Sequence, residues 1–226
     1  MSVSVGDPAW GVLPWRRLTL LRAPAVPAAL AFPDRSDHTA PVADRIPGSK
    51  AMWVGIFCEL TEFALLFAVY FIARAHNPDA FEAGPGRLSL AAGTGYTLML
   101  LTSGWCVARA LHAMRAGRKP ACLRWLLAGF VFGLGYPLIK ILELRWNFSH
   151  GLDSDAGVFV VTYYYLTFTH LVHVFWGLLG MLWVMARTAG GAYTVAEHGG
   201  LEAFACYWHA TDILWLMIFP LFYVLR

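Results

Sequence analysis

The sequence predicts an all-α integral membrane protein, a five-transmembrane-helix bundle with its N-terminus cytoplasmic and its C-terminus outside. Three observations predict it. The 226 residues are 58% hydrophobic and only 14% charged, with a mean hydropathy of +0.56, which is too apolar for a soluble domain. The apolar residues fall into five continuous blocks of about 20 residues or more, the length that a hydrocarbon layer of about 30 Å demands of a helix. Lys and Arg gather at alternate ends of those blocks, the asymmetry that sets membrane orientation.

Residues 1–50 precede the first block. Pro8, Pro14, Pro24, Pro27, Pro33, Pro41 and Pro47 interrupt them too often for a helix or strand to run far, so an irregular cytoplasmic arm is expected. Within it, RRLTLLRAPAVPAALAF has the paired arginines and small residues of a signal peptide, but Arg22, Pro24 and Pro27 break its apolar stretch. The arm ends at RIPGSK.

Residues 51–226 are expected to form one transmembrane domain. Its blocks run from Ala51 to Ala73, Leu88 to Ala110, Arg124 to Leu144, Gly157 to Arg187 and Leu201 to Leu225. Their apolar residues are continuous rather than alternating, and lipid offers unpaired backbone groups no partner, so helices are expected and a β-barrel is not. HNPDAFEAGPGR, between the first two blocks, reads as a turn-rich outer loop. In the third block, GFVFGLGYP sets Gly129 and Gly133 at a spacing that lets helices approach closely, and Pro137 is expected to kink the helix. No internal repeat is evident, which disfavours an inverted-repeat transporter.

Orientation follows from the basic residues. The arm holds Arg16, Arg17, Arg22, Arg35, Arg45 and Lys50, and the region joining the second and third blocks holds Arg109, Arg115, Arg118, Lys119 and Arg124. The opposite side holds Arg74, Arg87 and Arg145. Topology thus accounts for the net charge of +3, and no nucleic-acid partner is indicated. Cys58, Cys106, Cys122 and Cys206 form no C-x-x-C pair or loop framework and read as packing residues.

Ionisable residues inside such blocks are costly, so an inward, paired and functional placement is the default expectation. Glu59 and Glu62 lie in CELTEF, His170 and His173 in FTHLVHV, and His209 and Asp212 in CYWHATDILW. Each pair is spaced i, i+3 and projects from roughly one face. Glu202 lies seven residues before His209 on the same face. Together His170, His173, Glu202, His209 and Asp212 would form a buried polar layer, with Glu59 and Glu62 as candidates for proton exchange. Two neighbouring carboxylates do not both ionise cheaply in a low dielectric. Lys140 and Glu143, nearer the outer end of the third block, read as a local ion pair. A di-iron centre would want Glu-x-x-His on paired helices; that motif does not occur, and no metal site is expected.

Several of these stretches carry a resemblance. EAFACYWHATDILWLMIFPLFYVLR resembles the last helix of subunit III of the haem-copper cytochrome oxidases, with its pattern falling on Glu202, Tyr207, Trp208, His209, Asp212 and Trp215. LTFTHLVHVFWG is similar to a second family segment, matching Thr167, His170, His173, Val174 and Gly177, with Phe168 where the family usually has glycine. MWVGIFCELTEF is similar to the family helix bearing a carbodiimide-reactive carboxylate, which falls on Glu59. PGSKAMW, IKILE and YYYLTFTHLVHV most resemble the accessory E protein of bacterial cytochrome c-dependent nitric oxide reductases.

The resemblance covers residues 47–226. It implies a noncatalytic accessory subunit in the bacterial inner (plasma) membrane, without haem or copper of its own, that assembles or stabilises a haem-bearing catalytic subunit and supports its proton uptake. The haem, and copper where present, belong to that partner. Phospholipid is a further expected ligand, although two family helices that shape a lipid cleft in longer members are missing. From the residues alone, the alternative is an independent small proton or ion transporter using the Glu pair.

Overall fold

A computed structural model describes residues 48–152 and 157–225. The expected arm of residues 1–50 therefore lies outside the described residues except for its last three. Among the described residues every regular element is helical.

Helix α1 spans Lys50–His76 and begins at Ser49, whose hydroxyl accepts from the Met52 amide at 3.3 Å. That is the capping role serine plays before an apolar run. Asn77 closes the helix, its side-chain amide donating to the Ala73 carbonyl at 3.0 Å. A short α2, Pro78–Ala83, and a 3-10 turn over Gly84–Arg87 follow where the sequence suggested an irregular loop. Pro78 supplies a fixed φ in the first turn and Asp79 a negative charge beside the N-terminal amides. Phe81 then anchors the segment, its ring 5.3 Å from Tyr70 and 5.4 Å from Phe159.

Helix α3 spans Leu90–Arg115 under a Ser89 cap, α4 Lys119–Ser149, α5 Val158–Ala189 and α6 Gly199–Tyr223. Two of them end alike. Gly117 after α3 and Gly191 after α5 have φ of 70° and 82°, a conformation that costs residues with a Cβ. The following amides, of Arg118 and Ala192, reach back to the Ala113 and Arg187 carbonyls at 2.9 and 3.0 Å. This closes the last turn and reverses the chain. Pro137 and Pro220 lie inside α4 and α6 without ending them.

Among the described residues four helices, α1, α4, α5 and α6, are long and apolar enough to cross a membrane. With 26 residues α3 is long enough too, but its Thr, Ser and Gly residues lower its hydropathy below theirs.

The tightest packing joins α3 to α4, and α6 lies against α1, α3 and α5. Small residues make this possible. Gly129 lets α4 approach α3 until the Ser103 hydroxyl donates to the Gly129 carbonyl at 2.6 Å. A Cβ on Gly177 of α5 would meet the Trp208 ring of α6 at 2.6 Å. Trp208 and Trp215 are each 1% exposed, and the Trp215 indole donates to the Thr97 hydroxyl of α3 at 2.8 Å. Tyr207 reaches the His173 carbonyl of α5 at 3.1 Å. Cys106 and Cys122 are buried, whereas Cys58 is exposed, so only part of the expected cysteine packing is present.

Candidate functional site

The expected polar layer resolves into separate groupings along the bundle. In each i, i+3 pair from α1, α5 and α6, one member is turned further inward than the other. Glu59 is 4% exposed, and the Thr211 hydroxyl of α6 lies 3.2 Å from its Oε1. Its Oε2 is buried without a hydrogen-bond partner among the described residues. Glu62 turns outward, its side chain 51% exposed, with Oε2 3.5 Å from Nε2 of His173 on α5. The two carboxylates therefore face different surroundings.

His173 has a determined hydrogen bond at its other nitrogen. Nδ1 lies 2.9 Å from the Thr169 carbonyl, an acceptor only, so Nδ1 carries a proton there. Nε2 is left facing the Glu62 carboxyl, 3.5 Å from its Oε2. His170, one turn earlier, is fully buried with neither ring nitrogen paired among the described residues. It sits in an aromatic box, 5.3 Å from the Tyr136 ring, 5.1 Å from Trp215 and 6.2 Å from Phe63.

On α6, Asp212 is buried and His209 is not: its side chain is 43% exposed. The 3.9 Å from His209 Nδ1 to Asp212 Oδ2 is too long for a hydrogen bond. The Asp212 carboxyl instead presses on Gly104 of α3, where a Cβ would overlap it. His209 lines a cavity of about 630 Å³ between α1, α3 and α6, whose walls include Trp53, Ile56, Leu111 and Ile213. Glu202 stands at one end of that cavity rather than in a mid-depth layer. Its Oε1 takes Arg115 at 3.0 Å and His198 Nε2 at 3.1 Å, tying the start of α6 to the end of α3.

The richest polar cluster surrounds Lys140 and Glu143. Lys140 Nζ donates to Glu143 Oε2 at 2.9 Å, and both side chains are buried. Tyr163 of α5 donates to the same oxygen at 2.9 Å, and Tyr223 of α6 to Oε1 at 2.7 Å. Tyr96 of α3 hydrogen-bonds to Tyr223, and Lys140 also reaches the Tyr163 hydroxyl. Four helices thus meet on one buried ion pair. Sequence reading found the pair and missed the three tyrosines. Tyr163 is the first of three in YYYL and Tyr223 ends the last helix, but nothing local announces that they converge.

No group of three or more His, Cys, Asp or Glu among the described residues is placed to hold a metal ion. The arrangement holds helices together and offers an apolar cavity and one half-exposed carboxyl.

Comparison with known proteins places these features in context. The model of the family "Cytochrome c oxidase subunit III" matches residues 35–225. A probable cytochrome c oxidase subunit 3 of Mycobacterium tuberculosis is 31% identical over 173 residues, which cover 76% of this chain and 85% of that protein. A cytochrome bo(3) ubiquinol oxidase subunit 3 of Pseudomonas putida is 28% identical over 178 residues, 76% of this chain and 83% of its own length. A heme-copper oxidase subunit I+III of Aeropyrum pernix is 28% identical over 181 residues, 77% of this chain but 22% of that longer one.

Proposed function

We infer the function from one premise: the chain belongs to the cytochrome c oxidase subunit III family, a group of multi-pass membrane proteins. On that premise it is a noncatalytic accessory subunit that assembles or stabilises a respiratory haem-copper oxidoreductase in a bacterial plasma membrane. The observation that carries this reading is the match across residues 35–225, which runs through all five long helices. The Aeropyrum relative adds support, since one chain there bears the names of subunits I and III together. The partner is accordingly a catalytic subunit I, and it holds the haem.

Within this reading α3 is the fifth membrane span. At about 1.5 Å per residue, its 26 residues exceed the hydrocarbon thickness, and Ser103 and Thr97 are directed into α4 and α6. With five spans the two ends of residues 51–226 lie on opposite sides, the N-terminal end in the cytoplasm as the basic residues favour. Glu59 is the candidate for proton exchange in support of the partner. The cavity between α1, α3 and α6 suits acyl chains and supports bound phospholipid.

Two branches fit the partner. The names of the relatives favour an oxidase, while PGSKAMW, IKILE and YYYLTFTHLVHV favour a nitric oxide reductase. The visible spectrum of the copurified complex separates them, and copurification itself tests the accessory role. Proton flux through liposomes holding the chain alone tests the independent transporter: an accessory subunit conducts nothing.

A further inference from the structure

We propose that the outward seam of α1 and α5, centred on Glu62 and His173, is the face on which the catalytic partner docks, by a transmembrane helix carrying a hydrogen-bond donor at mid-depth. The inference rests on the accessory-subunit reading and adds the place and chemistry of the contact.

The first observation is depth. Glu62 is twelve residues from Lys50 and fourteen from His76 in α1, which puts it about 18 to 21 Å from either end at 1.5 Å per residue. His173 is fifteen and sixteen residues from the ends of α5. Both stand near the middle of spans that cross about 30 Å of hydrocarbon.

The second observation is exposure. Glu62 is half exposed at that depth, and its surroundings on the bundle surface are Leu65, Val69 and Trp176, exposed by 65%, 55% and 62%. Acyl chains offer a carboxyl nothing, whereas ionisable residues inside membranes face protein or a water-filled space. The one contact with His173, at 3.5 Å, leaves the half-exposed carboxyl with acceptor capacity for a further donor. A partner helix bearing a hydroxyl, amide or basic side chain completes it.

The third observation is the contrast with the outward face of α4. On α4 the exposed large residues Leu127, Val131, Leu138 and Ile141 surround no exposed ionisable side chain at mid-depth, and lipid satisfies them fully. A second copy of this chain is the weaker occupant: a two-fold contact repeats the same patch on both sides and sets one carboxyl near another, and two neighbouring carboxylates do not both ionise cheaply in a low dielectric.

Photo-crosslinking in membranes that contain the whole complex tests the proposal. A benzoyl-phenylalanine at Leu65 or Trp176 is expected to form adducts with the haem-bearing chain, and one at Val131 or Leu138 is not. Adducts with that chain from the α4 positions only, or adducts from the seam only with lipid or a second copy of this chain, overturn it. Recovery of haem with the tagged protein from the same membranes keeps the two readings apart. Haem recovered with adducts from α4 alone removes the docking face and leaves the accessory role, whereas no haem and no heterologous adduct removes both. As a second measurement, Glu62→Leu is expected to lower haem recovery severalfold and Glu62→Gln to retain most of it, while neither moves the melting temperature of the isolated chain. Equal recovery in all three proteins counts against the contact.

Discussion

Lys140 and Glu143 lie 2.9 Å apart inside the bundle, and the tyrosines of three neighbouring helices close around them. One carboxylate takes Lys140, Tyr163 and Tyr223 directly. Breaking a buried pair by removing one partner costs about 3 to 5 kcal/mol, because an uncompensated charge is left behind. Glu143→Ala is therefore expected to lower the melting temperature of the detergent-solubilised protein sharply. Replacing both charges, in Lys140→Met with Glu143→Leu, should recover much of the loss. A double variant as unstable as the single one would mean that the tyrosines, rather than the charges, dominate.

Gly104 and Asp212 give a second test. A methyl group on Gly104 overlaps the Asp212 carboxyl, and overpacking of this kind costs about 1 to 3 kcal/mol. Gly104→Ala should destabilise the wild-type background and do much less in Asp212→Ala, a non-additivity that thermal unfolding of the four proteins reports. Additive effects would separate α3 from α6 at this point.

Gly177→Ala should behave likewise toward Trp208, whose ring occupies the place of the added Cβ. Loss of stability of about 1 to 3 kcal/mol is expected, with partial rescue by Trp208→Phe. An unchanged melting temperature would show that α5 and α6 sit further apart.

Apolar carbodiimide should distinguish the two glutamates of α1. The family resemblance points to Glu59, but Glu59 is buried and Glu62 is half exposed. Mass spectrometry of the isolated chain is expected to find Glu62 modified severalfold faster. Faster reaction at Glu59 would mean that the reagent reaches the α1–α6 interface, where Thr211 lies.

These assignments show how far the sequence carries and where it stops. The five long helices fall within a few residues of the apolar blocks, because length and continuity of apolar residues are set by the bilayer. Inward and outward were harder. Residues three apart stand about 60° apart around a helix, so the edge of a buried face can pass between them. It does so between Glu59 and Glu62, and between Asp212 and His209. The tyrosine cluster depends on tertiary approach of four helices, which no single stretch encodes. The HNPDAFEAGPGR loop became a short helix because Phe81 found a buried site between Tyr70 and Phe159.

The central claim is that this chain is an accessory partner of a haem-bearing subunit. The most direct measurement is the ratio of haem to tagged protein after mild-detergent extraction and gel filtration, read from the visible spectrum of the peak. A haem-containing complex of fixed stoichiometry, with haem lost when the complex dissociates and none left on the isolated chain, is the predicted result. Repeated recovery of a folded, haem-free monomer from membranes that contain the oxidoreductase would contradict it.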